Sequence, residues 1–187
     1  MRKLASAVAA VAAVLLLAAA GTPLARAADP SLDRLFERLA AARGAAESQA
    51  LEAEIWQAWM LGGGPAATSL MRIGVGAMAR GDLPAALGVF DAIVRQNPDF
   101  AEGWNKRATV LYLMGALDAA ATDCERVLRL EPRHFGALSG LGMIRMKQAR
   151  VEEAIAAFER ALALHPNLDG ARTGLETLRR SRRDGAI

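Results

Sequence analysis

From Ala67 onward the apolar and polar positions of the chain follow a helical pattern that returns at a fixed interval. Pro98, Pro132 and Pro166 are spaced by 34 residues each time, and taking each as position 32 of a unit divides the chain into 67–100, 101–134 and 135–168. Position 20 is then alanine three times, as Ala86, Ala120 and Ala154. Position 8 is Gly74, Ala108 and Gly142, and position 24 is Phe90, Cys124 and Phe158, followed three residues on by Ile93, Val127 and Ala161. That i, i+3 spacing predicts an apolar stripe on the second helix of each unit. The small residues at positions 8 and 20 mark where two helices of one unit approach closely. Short turns are expected at Arg80-Gly81-Asp82, Met114-Gly115-Ala116 and Gln148-Ala149-Arg150, with glycine supplying the left-handed conformation at a helix end. The closing proline cannot continue a helix. The pattern therefore predicts three pairs of antiparallel helices.

These units resemble the tetratricopeptide repeat family. The resemblance is carried by Trp104, Ala108, Leu111, Ala120 and Pro132 in the second unit and by Leu138, Leu141, Gly142, Ala154, Phe158, Ala161 and Pro166 in the third. It implies an all-α fold, a right-handed α-α superhelix of stacked tetratricopeptide helix pairs. The family pattern is broken by Leu70 where Trp is usual, by Ala77 where Tyr is usual and by Arg107 where Leu is usual. A charge cannot be desolvated at that last position without a partner, so Arg107 is expected to pair with Asp91, Asp123 or Glu125, with ligand binding as the other reading. Trp104 matches the family's packing position between paired helices.

Upstream, Asp29-Pro30 opens a helix with proline in its first turn, and Leu32, Leu35, Phe36 and Leu39 form its apolar stripe. A second helix is expected from about Ala46 to Met60. Counted back by one period, residues 28–66 read as an N-terminal helical pair, a degenerate capping repeat with Glu52 at position 20 and Trp56 at position 24. Gly62-Gly63-Gly64-Pro65 would be a loose joint that lets this cap tilt. Residues 169–187 read as a C-terminal capping helix and basic tail, with Ala171, Leu175 and Leu178 covering the last repeat.

Before Ala28 the pattern is of another kind. Arg2 and Lys3 precede an apolar run from Leu4 to Ala20 and a break at Gly21-Thr22-Pro23, and Ala25-Arg26-Ala27 offers small residues for signal peptidase. Residues 1–27 are thus expected to be a cleavable signal peptide. The alternative is an uncleaved anchor, the run being near the lower length limit for a span. Charge changes with the cut: the chain has 23 basic and 20 acidic residues, and losing Arg2, Lys3 and Arg26 leaves 20 of each. The basic character of the whole chain therefore gives no ground for a nucleic-acid partner. The richness in arginine and alanine points to a GC-rich bacterium, and export from such a cell to the periplasm. A single cysteine, Cys124, leaves the exported fold without an internal disulfide.

No arrangement of residues signals catalysis, a cofactor or a metal. His134 and His165 lack zinc-site spacing, Cys124 lies on an apolar stripe, and Glu152-Glu153 suit the first turn of a helix. Trp56 and Trp59 read as core. The expected role is binding of a protein or peptide partner, with no nucleic acid and with the membrane touched only through the signal segment if that is uncleaved. The resemblance implies a concave groove lined by the first helix of each unit. At positions 2, 5, 9 and 12 it carries Glu102, Asn105, Thr109, Tyr112, Ser139, Met143 and Met146, with Thr68, Met71, Val75, Met78, Ala79, Leu113, Gly136 and Lys147 filling the remaining groove positions. Asn105 is the leading candidate, since its amide can bond both N–H and C=O of a peptide. Too few Lys, Arg and Asn converge for the clamp by which co-chaperone members hold a chaperone C-terminus. The alternative function is a structural envelope protein that weakly self-associates through Trp56, Trp59 and Met60.

Overall fold

The computed structural model describes residues 30–185, so the expected signal peptide lies outside the described residues. Among those residues there are nine helices and no strand: α1 (Pro30–Ala41), α2 (Ala45–Leu61), α3 (Gly64–Ala79), α4 (Leu83–Gln96), α5 (Ala101–Leu113), α6 (Leu117–Leu130), α7 (Phe135–Lys147), α8 (Val151–Leu164) and α9 (Asp169–Arg183). No described helix is long and apolar enough to cross a membrane. The pairs α3–α4, α5–α6 and α7–α8 are the three repeats, stacked in sequence as an all-α right-handed superhelix, with α9 packed against the last pair.

Why this spacing stacks is visible in the fit of positions 8, 20 and 24. A Cβ on Gly74 would lie 2.6 Å from the Phe90 ring, and one on Gly142 would lie 2.5 Å from the Phe158 ring. In the middle repeat Ala108 faces a smaller partner, Cys124, within one buried cluster. The volume removed from one position thus returns at the other, which keeps the interhelix gap filled. Ala86, Ala120 and Ala154 are all fully buried. Gly81 and Gly115 turn with φ of 76° and 81°, and in the third repeat Ala149 takes the same place at φ 57°, a conformation that costs an L-residue more than glycine.

The N-terminal pair differs from the capping repeat expected of it. α1 and α2 do form a hairpin, but its core partners belong to repeat 3: Leu32, Phe36, Leu39, Leu51, Ile55 and Trp59 enclose Phe135, with Leu164 and Leu168 at the margin. Only its end, through Met60, joins the core of repeat 1. The joint causes this. Gly64 has φ 78°, and a Cβ on Gly63 would come within 2.7 Å of both Ala67 and the Phe100 ring. It is a sharp packed turn and not a loose linker, and it sends the hairpin across the stack. Glu52, the misfit at position 20, needs no small residue there because it pairs with His165. As a result none of the other described residues covers the outer face of α3, and Ile73 is 54% exposed where the matching Leu141 packs against its neighbouring repeat.

Candidate functional site, the concave face and its polar edge

The first helices α3, α5, α7 and α9 neighbour one another along the superhelix, so their position 9 side chains form a row. Val75 and Met143 in that row are 39% and 41% exposed, and Leu113 at position 13 of the middle repeat is 55% exposed. Thr109, between Val75 and Met143, is exposed, and its hydroxyl donates to the Asn105 carbonyl at 2.9 Å. Tyr112 is half-buried beneath the Lys147 ammonium, 4.5 Å from the ring centroid. Met146 is half-buried against the repeat 3 core, and Ser139 is half-buried with its Oγ toward Gly170 of α9. Together these make an open floor, apolar at Val75, Leu113, Met143 and Met146 and polar at Thr109, Tyr112 and Ser139, with a cation at one end.

Glu102 and Asn105 are not part of that floor. Both are buried, and the Asn105 amide donates to Glu102 Oε2 at 3.0 Å. The amide expected to read a peptide backbone is therefore committed inside the protein. Glu102 also forms an ion pair through Oε1 with Lys106 Nζ at 2.9 Å and accepts from His134 Nε2 at 3.0 Å through Oε2. The Ala137 amide donates to His134 Nδ1 at 3.1 Å, which puts the imidazole proton on Nε2 and fixes the tautomer. Burial raises the Glu102 carboxyl, but the bond from His134 and the Lys106 charge outweigh it, and the group is held below its ordinary value.

Trp56 and Trp59 complete this edge. Trp59 stacks on His134 with centroids 4.0 Å apart and planes 10° apart. Trp56 stands edge-on to His134 at 5.4 Å and to Phe135 at 5.5 Å, with Lys106 Nζ 5.1 Å from its ring. The residues that suggested self-association are thus occupied within the chain. His134, His165, Glu52 and Phe135 carry this edge and were not singled out as site residues from sequence. A signal existed: position 1 is Ala67 and Ala101 in the first two repeats and Phe135 in the third, while position 34 is Phe100 and Leu168 but His134 in the middle.

The remaining candidates are structural. Arg107 Nε and Nη2 each donate to Asp123 at 2.7 Å, and Nη1 donates to Asp91 at 2.8 Å. Glu125, the third expected acid, pairs instead with the buried Arg145 at 2.9 Å. Trp104 lies outside the paired-helix core that its register suggested. It is half-buried, its indole N–H donates to the Pro98 carbonyl at 2.9 Å, and the Arg107 guanidinium sits 4.7 Å from its ring. Cys124 is buried beside Asp123, and burial pushes its thiol up to about 12, which leaves almost no thiolate near neutrality. Among the described residues no group of three or more His, Cys, Asp or Glu side chains is placed to hold a metal ion.

Comparison with known proteins places these features among relatives. A family model described as tetratricopeptide repeat matches residues 71–130 and 118–169, together more than half of the chain. A TPR repeat-containing protein of Rhizobium etli is 39% identical over 113 residues, covering 60% of this chain and 55% of that protein. The chain thus matches about half the length of that relative. Among solved structures, the Sgt2 TPR domain from Aspergillus fumigatus matches with TM-score 0.63 at 26% identity, over 66% of this chain and 83% of that one. The first TPR of Spaghetti (RPAP3), bound to the HSP90 peptide SRMEEVD, matches with TM-score 0.60 at 23% identity, over 62% and 91%.

Proposed function

This chain belongs to the tetratricopeptide repeat family, and from that premise we propose that it is a non-enzymatic protein-interaction scaffold, exported to the periplasm, that holds a peptide or partner helix on its concave face. The observation that carries this reading is the row of exposed Val75, Thr109, Leu113 and Met143 on successive first helices. An apolar row of this kind gains from burial, and methionine adapts its shape to what it meets. A chain of the same fold takes a peptide, the HSP90 peptide SRMEEVD, which lends precedent to the class of ligand. The partner here differs in chemistry, because the exposed Val75, Leu113 and Met143 are apolar and the charge at the floor's end is the Lys147 ammonium over Tyr112. Export rests on the n-region, apolar run and Ala25-Arg26-Ala27 of the first 27 residues.

The test is retention of partners from an envelope extract by the mature protein, compared with a Leu113→Glu, Met143→Glu double variant. Both side chains are solvent-exposed, so the variant should fold as before. Loss of the retained set supports the groove, and an unchanged set removes it. Fractionation of cells carrying the full chain tests export in parallel: a shortened product in the periplasmic fraction is expected, and full-length protein in the cytoplasm would overturn that part.

A further inference from the structure

The hairpin α1–α2 rests on a surface that the repeats build without it. The His134 ring is held at both nitrogens by groups of the repeats, Nε2 by Glu102 and Nδ1 by the Ala137 amide. Phe135 and Gly136 follow at the start of α7, and Gly136 leaves the space that the Trp56 ring fills: a Cβ there would lie 2.5 Å from Trp56 Cη2. Two cationic or imidazole groups border this aromatic seat and meet acids of the hairpin. Arg133 Nη1 donates to Asp33 at 2.6 Å, and His165 Nε2 lies 3.0 Å from Glu52 Oε2.

The fit of the hairpin is incomplete. The Trp59 indole N–H and His165 Nδ1 are both buried on this seam and have no hydrogen-bond partner among the described residues. Buried polar atoms left unpaired oppose closure. The tether is the packed turn of Gly62 and Gly63 between α2 and α3, so opening the hairpin changes the backbone at glycines and takes Gly63 off the Phe100 ring.

We propose that this seat, formed by Lys106, Arg133, His134, Phe135, Gly136 and His165, is a second binding surface for an amphipathic helix, which α2 occupies in cis and a partner helix of the same chemistry can take over. The helix it fits carries a carboxylate, an aromatic ring four residues later and another three residues after that, as Glu52, Trp56 and Trp59 do in α2. The acid meets His165, the first ring lies over Gly136 and the second stacks on His134. This surface does not depend on the concave-face reading. In the free protein the tethered helix competes at high effective concentration, so the seat is masked until α2 leaves.

A labelled peptide spanning residues 45–61 is the probe, added to the full chain. Unmodified protein should bind it weakly. A Glu52→Arg, Trp59→Ala variant, whose own hairpin is weakened, should bind it about tenfold more tightly or better, and adding Gly136→Val to that variant should abolish binding. Met143→Glu should leave peptide binding unchanged, which separates this seat from the concave face. Equal affinity for unmodified and opened protein, or indifference to Gly136→Val, would overturn the proposal. Hydrogen exchange gives a second measure. Gly136→Ala alone should speed amide exchange in residues 45–61 by about tenfold while α5 to α8 keep their protection. Unchanged exchange in 45–61, or loss of protection across the repeats as well, would show that the hairpin is an inseparable part of the fold.

Discussion

Replacing Arg107 by alanine tests how a charge comes to stand at a position where stacked repeats otherwise place leucine. Its guanidinium bridges two repeats, with two bonds of 2.7 Å to Asp123 on α6 and one of 2.8 Å to Asp91 on α4. The two acids differ in what they lose. Asp123 has a side chain only 3% exposed, against 36% for Asp91. Stranding a buried carboxylate costs about 3–5 kcal/mol. Arg107 itself is 22% exposed, so water can enter the space it leaves, which favours the lower end, about 3 kcal/mol. The Asp91 arm is solvent-screened and adds about 0–1 kcal/mol. The contact with the Trp104 ring, at 4.7 Å, adds about 0.5–1 kcal/mol.

The sum predicts a loss of about 3.5–5 kcal/mol, or a fall in thermal midpoint of roughly 7–20 °C for a chain of this size. Thermal and urea unfolding followed by circular dichroism provide the measurement. The double variant Arg107→Ala, Asp123→Ala distinguishes the cause, because removing the stranded acid should restore part of the loss. An unchanged midpoint for Arg107→Ala would refute the burial argument. Strictly additive losses in the double variant would show that packing of the arginine stem, and not the charge pair, is what matters.

Ala120→Leu should overpack the middle repeat at a cost of about 1–3 kcal/mol, and a thermal midpoint equal to that of the unmodified protein would contradict the assigned register. Ala149→Gly should raise stability by about 0.5–1 kcal/mol, since the strain of a positive φ exceeds the entropy that glycine adds to the unfolded chain; a lower urea midpoint would show that the turn is not strained. Glu102 is held below its ordinary 4.5 in the folded protein, so the unfolded chain takes up that proton first as pH falls. The stability it contributes is complete above that value and is lost as pH drops through the folded one. The urea midpoints of Glu102→Gln and the unmodified protein should therefore converge as pH falls below about 4.5, and a constant gap would remove Glu102 as the source.

What the sequence disclosed and what it concealed divide along one physical line. The repeats were legible because the constraint that makes them is local. Gly74 meets Phe90 and Gly142 meets Phe158 inside a single helix pair, so a fixed spacing in the chain is a fixed contact in space. Arg107 was legible for the same reason, as its acids are each 16 residues away. Asn105 misled because its register position is that of a groove residue, whereas its fate is decided by Glu102 three residues earlier and by His134 behind it. Position 34 is apolar in the other two repeats, as Phe100 and Leu168. A histidine there brings a polar group inside that has to be matched, and Glu102 and Asn105 were drawn in to match it.

The hairpin could not be placed by period at all, because its contacts reach 100 residues from Asp33 to Arg133 and 113 from Glu52 to His165. Its own stripe of Leu32, Phe36, Leu39, Leu51 and Ile55 specifies only that two helices pair. Where the pair then settles follows from the turn at Gly63 and Gly64, which aims it, and from two residues of another repeat that receive it, a phenylalanine where the first two repeats carry alanine and a glycine that admits an indole. Period alone therefore assigned it as a capping repeat ahead of the first repeat, since a solenoid in register offers no reason to look elsewhere. The exposed Ile73 and the enclosed Phe135 are two consequences of one choice. Among the described residues the first repeat keeps an open face while the apolar surface of the hairpin is buried at the edge of the groove, and the exchange proposed for α2 follows from that placement, since a helix lying there contributes to the stacking of no repeat.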